Sequence, residues 1–234
     1  MARQLAAKGF RVIAVARRAE ALSGLADQAA SAGSTIIPMV GDVTDRAAME
    51  ALVAYVEAHH GPLALAFLNV GTFFPDSDAD FGGDGFRKTF ATNVEGTINL
   101  IGPLVRAMKT RGRGQIAVNG SVAGYGGLPR AIAYSASKAA LIAMCEALKF
   151  DLDKLGINLQ LVSPGFVKTP LTDQNDFPMP FLISVEEAGA RIIDGFERGG
   201  FEIAFPRRMA WLLKAINMLP YSAYFWLVSK TTGR

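Results

Sequence analysis

A tyrosine and a lysine lie four residues apart in a stretch whose composition predicts a helix. They are the first and last residues of Tyr134-Ser-Ala-Ser-Lys138. Spacing of i and i+4 puts both side chains on one helix face, about 6 Å apart along the axis. A lysine ammonium near a phenol favours the phenolate, so we expect the pKa of Tyr134 to be lowered from about 10. Such a tyrosine can exchange a proton near neutral pH, and the alternative is a half-buried tyrosine beside a solvated lysine.

Two further polar residues could assist this pair. Ser121 precedes Tyr134 by thirteen residues and follows an apolar run, which predicts a position just beyond a buried strand. A hydroxyl there can hydrogen-bond a substrate oxygen as charge develops on that oxygen. Asn93 lies in a predicted helix, and the alternative for it is an ordinary helix residue whose amide is satisfied locally.

The elements that must position these residues alternate between strand and helix. Strands are predicted at Arg11–Ala16, Thr35–Val40, Leu63–Asn69, Gln115–Asn119, Ile157–Ser163 and Phe201–Phe205. Helices are predicted at Ala2–Lys8, Ala19–Ala32, Asp45–His59, Phe86–Thr110, Ala131–Leu155 and Val185–Arg198. This alternation, with short connections, predicts one α/β domain over residues 1–234, a three-layer fold with a doubly wound parallel sheet.

Polar and turn residues follow the predicted strands. In open parallel sheets, ligands bind beyond the carboxyl ends of the strands. Four strands are followed there by Asp42, by Asn69-Val70-Gly71, by Ser121 and by Pro164-Gly165. The sequence therefore predicts one site along that edge. Asp42 could instead cap the next helix, and Pro164-Gly165 could be only a tight turn.

Together these motifs resemble the short-chain dehydrogenase/reductase family, over nearly the whole chain. The family's YxxxK motif is matched by Tyr134 and Lys138, its upstream serine by Ser121, and its helical asparagine by Asn93. Its NNAG turn is present in altered form as Leu68–Gly71. Its PG turn with the following threonine is matched by Pro164-Gly165 and Thr169, and its strand-end aspartate by Asp42. The resemblance implies a Rossmann-like fold and an oxidoreductase that interconverts an alcohol and a carbonyl by hydride transfer.

The resemblance also implies a role for each matched residue. Tyr134 would be the general acid/base, Ser121 would orient the carbonyl, Lys138 would contact the nicotinamide ribose and tune Tyr134, and Asn93 would hold a water in a proton relay. For the cofactor, the same resemblance implies contacts from Asp42 to the adenine, from Asn69 and Gly71 on the ribose side, from Pro164 and Gly165 at the turn, and from Thr169 to the carboxamide.

Two arginines favour NADP as the cofactor over NAD. A carboxylate at the end of the strand Arg11–Ala16 would bind the 2′-hydroxyl of NAD. Ala16 stands there instead, followed by Arg17 and Arg18, and guanidinium groups suit a 2′-phosphate. The alternative is that one or both arginines merely flank a helix start.

One family feature has no counterpart in the sequence. The family begins with a strand and a TGxxxGxG turn that holds the cofactor pyrophosphate at a helix N-terminus. Met1–Gly9 matches the later half of the helix after that turn, so about twenty residues of the family pattern are missing. We expect unpaired strand edges, an uncovered core, poor solubility and weak NADPH binding. The alternative function is a truncated, non-catalytic scaffold that no longer binds cofactor.

Composition narrows the remaining possibilities. The net charge of +3 comes without a basic block or stripe, which argues against nucleic acid as a partner. The single cysteine, Cys145, fits a reducing compartment and a buried core position. No cysteine, histidine and carboxylate cluster has metal-ligand spacing. Because the first ten residues lack an apolar run long enough for export, the sequence predicts a cytoplasmic protein.

Two segments bear on substrate and partners. The apolar stretch Leu171–Ser184, which includes Phe177 and Pro178, corresponds to the family's mobile lid and favours a hydrophobic substrate, or else covers the core. The segment 207–234 is aromatic and basic, with five Lys/Arg and one Glu between Gly200 and Arg234. It is typical of an amphipathic tail that contacts a membrane surface through 207–229, or of an oligomer or substrate-pocket contact. The family resemblance further implies a homodimer or homotetramer through the two long helices.

Overall fold

The computed structural model describes residues 1–74, 83–174 and 179–232. Its helices are α1 Ala2–Ala7, α2 Ala19–Ser31, α3 Arg46–His59, α4 Asp84–Phe90, α5 Gly96–Arg111, α6 Ile132–Lys154, α7 Val185–Arg198, α8 Arg207–Asn217 and α9 Tyr221–Thr232. Its strands are β1 Val12–Ala16, β2 Ile36–Val40, β3 Leu65–Leu68, β4 Gly114–Asn119, β5 Ile157–Pro164 and β6 Glu202–Phe205. The order and type of the predicted elements are confirmed.

One predicted helix differs from the helix that forms. The span Phe86–Thr110 is divided into α4, a π-helical turn at Ala91–Glu95, and α5. Gly96 begins α5, and a Cβ there would lie 2.6 Å from Cγ2 of Val43. Glycine therefore lets this helix pack closely on the segment after β2. Single π-helical turns occur often at functional sites, and this turn contains Asn93.

All paired strands are parallel, as predicted, but they form two sheets. One sheet pairs β1 with β2, and the other has the order β3-β4-β5-β6. Among the described residues, β1 and β3 each have one hydrogen-bonded neighbour, as do β2 and β6. Residues of β1 and β3, including Val15 and Phe67, line a cleft of about 430 Å³.

The core is largest around the four-stranded sheet. Strands β4 and β5 lie at its centre and are apolar on both faces, as parallel strands buried between helices must be. Ile116 and Leu159 from these strands pack with Met108 and Leu141 from α5 and α6, and all four side chains are fully buried. The two-stranded sheet has a much smaller buried cluster, formed by Ala6, Ala29 and Ile36. Less apolar surface therefore stabilises β1 and β2.

Helices α8 and α9 follow the last strand and pack onto the body of the fold. Ala210 and Tyr224 are the buried side chains of this pair, and the Tyr224 hydroxyl donates to the carbonyl of Gly127 at 2.6 Å. This bond fixes α9 against the segment between β4 and α6. Among the residues that the structure describes, no helix is both long and apolar enough to cross a bilayer.

Candidate active site

Ser121 and Tyr134 meet because a glycine lets the loop after β4 lie against α6. Ser121 caps a short 3₁₀ turn, where its Oγ accepts a hydrogen bond from the Ala123 amide at 3.1 Å. Gly124 ends this turn, and a Cβ on it would lie 2.7 Å from the carbonyl carbon of Lys138. With glycine there, the turn packs directly on α6 and the Ser121 hydroxyl hydrogen-bonds the Tyr134 side chain.

Lys138 is buried beneath this pair. Its side chain is 1% exposed, and its Nζ donates to the carbonyls of Asn119 at 2.7 Å and Val70 at 3.4 Å. The same nitrogen lies 5.7 Å from the centre of the Tyr134 ring. Burial lowers the pKa of Lys138 to about 7. The i and i+4 spacing thus puts both side chains on one face, as predicted, and the tertiary fold buries that face.

The expected direction of the Tyr134 pKa shift is wrong for this structure. Burial raises the pKa of Tyr134, and the hydrogen bond with Ser121 offsets that rise only in part. Removing a phenolate from water opposes its ionisation, and a lysine whose own pKa is near 7 contributes only a partial positive charge. The ring of Phe73 meets the Tyr134 ring edge-on at 5.5 Å, which adds apolar surface to the pocket.

The side-chain amide of Asn93 is hydrogen-bonded through both its oxygen and its nitrogen. Its oxygen accepts from the amide of Thr72 at 2.7 Å, and its nitrogen donates to the Thr72 carbonyl at 3.1 Å and to the Ser137 hydroxyl at 3.0 Å. Ser137 in turn donates to the Tyr134 carbonyl at 2.8 Å. Asn93 therefore ties the segment after β3 to the helix that carries Tyr134 and Lys138, through partners 21 and 44 residues away in sequence.

The candidate cofactor residues after β1, β2 and β3 line the cleft between the two sheets. These residues are Arg17, Asp42, Asn69 and Gly71. The Arg17 guanidinium is 73% exposed and lies 4.0 Å from the Asp42 carboxylate. A Cβ on Gly71 would lie 3.7 Å from Nζ of Lys138, so this turn packs against the buried lysine. The cleft thus extends from the arginine to the turn that packs against the buried lysine.

Asp42 is not the cap of α3. Asp45 is, since its carboxylate accepts from the Ala48 amide at 2.9 Å. Asp42 instead accepts from the amide and the hydroxyl of Thr44 at 2.9 and 2.8 Å. The hydrogen bonds from the Thr44 amide and hydroxyl, together with the nearby Arg17, lower the pKa of Asp42. The carboxylate is therefore ionised at the mouth of the cleft.

The remaining predicted residues are placed by α2 and β5. Arg18 is exposed and provides the N-cap position of α2, so flanking a helix start is part of its role. Pro164 ends β5, and the Gly165 amide donates to the Phe205 carbonyl at 2.7 Å. The Thr169 amide donates to the Thr172 hydroxyl at 2.9 Å. Because β5 neighbours β4, these residues lie at the same sheet edge as Ser121.

Three further predictions from the sequence concern the cysteine, metal binding and the lid segment. Cys145 is fully buried, as predicted, and burial raises its pKa to about 12. Across residues 1–74, 83–174 and 179–232, no group of His, Cys, Asp and Glu is arranged to hold a metal ion. In the lid segment, Phe177 and Pro178 lie outside the described residues, while Phe181 and Leu182 are exposed.

The comparisons with known proteins agree with this geometry. Residues 1–177 match the family model described as short chain dehydrogenase. The chain belongs to the short-chain dehydrogenase/reductase family. It is accordingly an NAD(P)-dependent oxidoreductase. An uncharacterized oxidoreductase of Myxococcus xanthus is 36% identical over 216 residues, which cover 92% of this chain and 85% of the relative. A ketoacyl reductase of Nostoc sp. is 30% identical over 186 residues, 79% of this chain and 65% of that relative.

Solved structures of short-chain dehydrogenases have the same fold. One from Mycobacterium marinum superimposes with a TM-score of 0.68 at 27% identity and covers 71% of this chain and 69% of its own. A gluconate 5-dehydrogenase from Burkholderia cenocepacia, solved in complex with NADP and tartrate, gives a TM-score of 0.70 at 25% identity. It covers 75% of this chain and 70% of its own.

This short-chain dehydrogenase also contains a polar cluster that sequence reasoning missed. Glu202 accepts hydrogen bonds from Tyr125 at 2.6 Å and from Ser163 at 2.9 Å, and it pairs with Lys214 on α8. Burial raises the pKa of Glu202, but these bonds outweigh burial and leave it lowered. The cluster joins the loop after Ser121 to β5, β6 and α8. Its members are distant in sequence and share no spacing pattern. The one sequence feature that could have pointed to the cluster is the Pro164 turn, which directly follows Ser163.

Proposed function

We propose that this enzyme interconverts an alcohol and a carbonyl on a small apolar substrate, with NADP(H) as the hydride carrier. The hydrogen-bonded pair of Ser121 and Tyr134 above the buried Lys138 carries the proposal. The oxidoreductase relatives do not favour the alternative of a non-catalytic scaffold.

The proton chemistry follows from the positions of these three side chains. In the reductive direction, Tyr134 donates its phenolic proton to the substrate oxygen, and Ser121 donates a hydrogen bond that holds the same oxygen in place. A raised pKa keeps Tyr134 protonated and ready to donate. Lys138, when protonated, stabilises the phenolate that remains. When bound, the nicotinamide supplies or accepts the hydride.

The polar and turn residues after the strands suit a phosphorylated dinucleotide. Arg17 presents an exposed guanidinium at one end, where it would hold the 2′-phosphate together with Arg18. Asp42 would meet the adenine, Asn69 and Gly71 would lie on the ribose side, and Lys138 would reach the nicotinamide ribose. Pro164, Gly165 and Thr169, at the edge of β5, would hold the carboxamide. The gluconate 5-dehydrogenase that shares the fold was solved with NADP.

An apolar substrate is supported by the surroundings of Tyr134. Phe73 packs edge-on against the Tyr134 ring, and Phe181 and Leu182 are exposed in the segment between β5 and α7. One relative is a ketoacyl reductase, whose substrate class combines a carbonyl with an acyl group. We further propose that the enzyme is a homodimer or homotetramer, and light scattering would measure its mass.

The test of the proposed chemistry is replacement of the general acid. Tyr134→Phe removes the proton donor and leaves the ring, so NADPH-dependent reduction of an apolar ketone or aldehyde should fall by about 100-fold or more. Tyr55→Phe, on the exposed surface of α3, is the matched control and should retain full turnover. Binding of NADPH, followed by its fluorescence, should be similar in all three proteins. Near-normal turnover of Tyr134→Phe would exclude the assigned role.

A further inference from the structure

The end of the chain has an unbalanced charge. Residues 203–234 contain five Lys or Arg residues and no Asp or Glu. Arg207 and Arg208 begin α8 and are exposed, and Lys230 is exposed near the end of α9. Arg207 also lines a surface pocket of about 320 Å³ together with Arg191 and Arg198 of α7, which pair with Glu187 and Asp194 of their own helix. A surface of this composition attracts anionic groups.

The same two helices expose large apolar side chains. We define the tail face as the exposed apolar residues of α8, α9 and their connection: Trp211, Leu212, Met218, Leu219, Tyr221, Phe225 and Trp226, which are 39–85% exposed. Two of these side chains, Tyr221 and Phe225, stack with their ring centres 5.9 Å apart. Exposed apolar side chains clustered in this way mark an interaction site in soluble folds. Both tryptophans of the chain belong to it.

We propose that the tail face docks on the surface of a bilayer containing anionic phospholipid. The helices have 11 and 12 residues, a length that suits lying in the interface rather than crossing the bilayer. Tryptophan and tyrosine are favoured at the level of the lipid headgroups. Lys230 lies 5.1 Å from the centre of the Trp226 ring, so a cation and an amphipathic ring share one end of the face.

Charge argues against a second copy of the chain as the occupant. A symmetric contact through the tail face would bring Arg207, Arg208 and Lys230 of each copy towards those of the other, whereas Lys214 is already paired with Glu202. An anionic bilayer offers apolar surface and opposite charge together, and each basic residue near such a surface adds to the attraction.

The inner side of the tail connects docking with the site. Tyr224 bonds to Gly127, and Lys214 pairs with Glu202 in the cluster that includes Tyr125. Both contacts reach the loop between Ser121 and Tyr134. A bilayer on the tail face would therefore lie near the loop that leads from Ser121 to Tyr134, which suits a lipophilic substrate. This consequence for the substrate rests on the proposed function, whereas docking itself does not.

Intrinsic fluorescence tests the docking directly. Because Trp211 and Trp226 are 73% and 62% exposed and are the two tryptophans of the chain, vesicle binding should shift the emission to shorter wavelength without any label. We expect this shift, and co-sedimentation, with vesicles of phosphatidylcholine and phosphatidylglycerol. Vesicles of phosphatidylcholine alone should bind at least about tenfold more weakly, and salt near 1 M should remove the difference.

Matched variants separate the charge and the apolar contributions. The double variant Arg207→Glu/Arg208→Glu should weaken binding to anionic vesicles at least about tenfold. Its control, Arg113→Glu/Lys154→Glu, makes the same change in charge at the opposite edge of the sheet and should weaken binding much less. Trp211→Ser/Trp226→Ser should also reduce co-sedimentation at least about tenfold. Phe10→Ser/Tyr55→Ser is its control, since both rings are about half exposed elsewhere.

Two outcomes would overturn the proposal. One is equal binding of the tail variants and their controls, or no binding by the parent protein. The other is a fall in oligomer mass, measured by light scattering without lipid, that is confined to the tail variants, because the tail face would then be a subunit interface. Circular dichroism would check that each variant is folded. If the tryptophan variant unfolds, the arginine variant still tests the proposal, because it alters only exposed side chains. None of these measurements depends on catalysis.

Discussion

Burial sets the chemistry of the two central residues. Lys138 and Tyr134 are both removed from water, so each favours its neutral form: the pKa of Lys138 is lowered to about 7 and that of Tyr134 is raised. The hydrogen bonds from Nζ of Lys138 to the carbonyls of Asn119 and Val70 compensate part of the cost of burying a charge.

The buried lysine predicts a specific dependence of stability on pH. Folded Lys138 releases its proton near pH 7, whereas unfolded lysine keeps it to about 10.5. Between these two pH values the unfolded state therefore binds more protons than the folded state. The contribution of Lys138 to the free energy of unfolding is complete above the pKa of the unfolded chain, and it is lost as the pH falls through the pKa of the folded protein. Relative to Lys138→Met, the free energy of unfolding should rise by about 2 kcal/mol from pH 7 to pH 9.

Urea denaturation of the parent protein and Lys138→Met at each pH measures this difference. Other titrating groups are common to both proteins and cancel in the comparison. Lys154→Met, which changes an exposed lysine, should show no pH-dependent difference from the parent. The same slope for all three proteins would mean that Lys138 keeps an ordinary pKa when folded.

Arg17 governs the prediction for cofactor choice. Arg17→Asp removes the guanidinium proposed to hold the 2′-phosphate and places a carboxylate beside Asp42, which is 4.0 Å away from the present side chain. NADPH binding should weaken far more than NADH binding, by at least about tenfold in the ratio of the two dissociation constants. Fluorescence titration with each cofactor measures this ratio, and Arg113→Asp is the control. Equal losses for both cofactors would show that Arg17 does not contact the phosphate.

At the scale of elements, α8 and α9 hold the loop between Ser121 and Tyr134. The pairing of Glu202 with Lys214, and the bond from Tyr224 to Gly127, attach this loop to the end of the chain. A Cβ on Gly126 would lie 3.0 Å from the Tyr224 hydroxyl, so the contact is close. The loop that carries Ser121 is thus positioned by residues about 100 positions later in the sequence.

The contact between α9 and the loop predicts a matched pair of variants. Tyr224→Phe leaves the ring but removes the donor to the Gly127 carbonyl, so the free energy of unfolding should fall by about 1 kcal/mol. Tyr221→Phe, one turn earlier on the same helix and 79% exposed, should change it little. Chemical denaturation of the three proteins measures the difference. Identical stabilities would indicate that the Tyr224 bond adds nothing in solution.

For the whole molecule, the division into two sheets predicts unequal local stability. Strands β4 and β5 lie inside the four-stranded sheet and its main core, whereas β1 pairs on one side and has a small buried cluster. Hydrogen exchange should be at least about 100-fold slower for amides of β5 than for amides of β1 that face the cleft. Amide-resolved exchange measures this directly. Equal protection of β1 and β5 would show that the two sheets unfold as one unit.

The sequence by itself determined the α/β class, the order of the elements and the sheet edge at which the site lies. Periodicity and strand-end residues were sufficient because parallel strands must be apolar on both faces and must present their carboxyl ends together. The i and i+4 spacing likewise fixed Tyr134 and Lys138 on one helix face. The π-helical turn at Asn93 was not predicted, because the composition of 86–110 is that of a continuous helix.

Only the tertiary structure decided what surrounds these residues. The direction of the Tyr134 pKa shift depends on how completely the fold excludes water, a quantity that no local spacing encodes. The engagement of Asn93 with Thr72 and Ser137, and the cluster around Glu202, join residues that are far apart in sequence. Such contacts arise from packing between elements, so they are determined when the chain closes on itself and not by the sequence pattern of any one element.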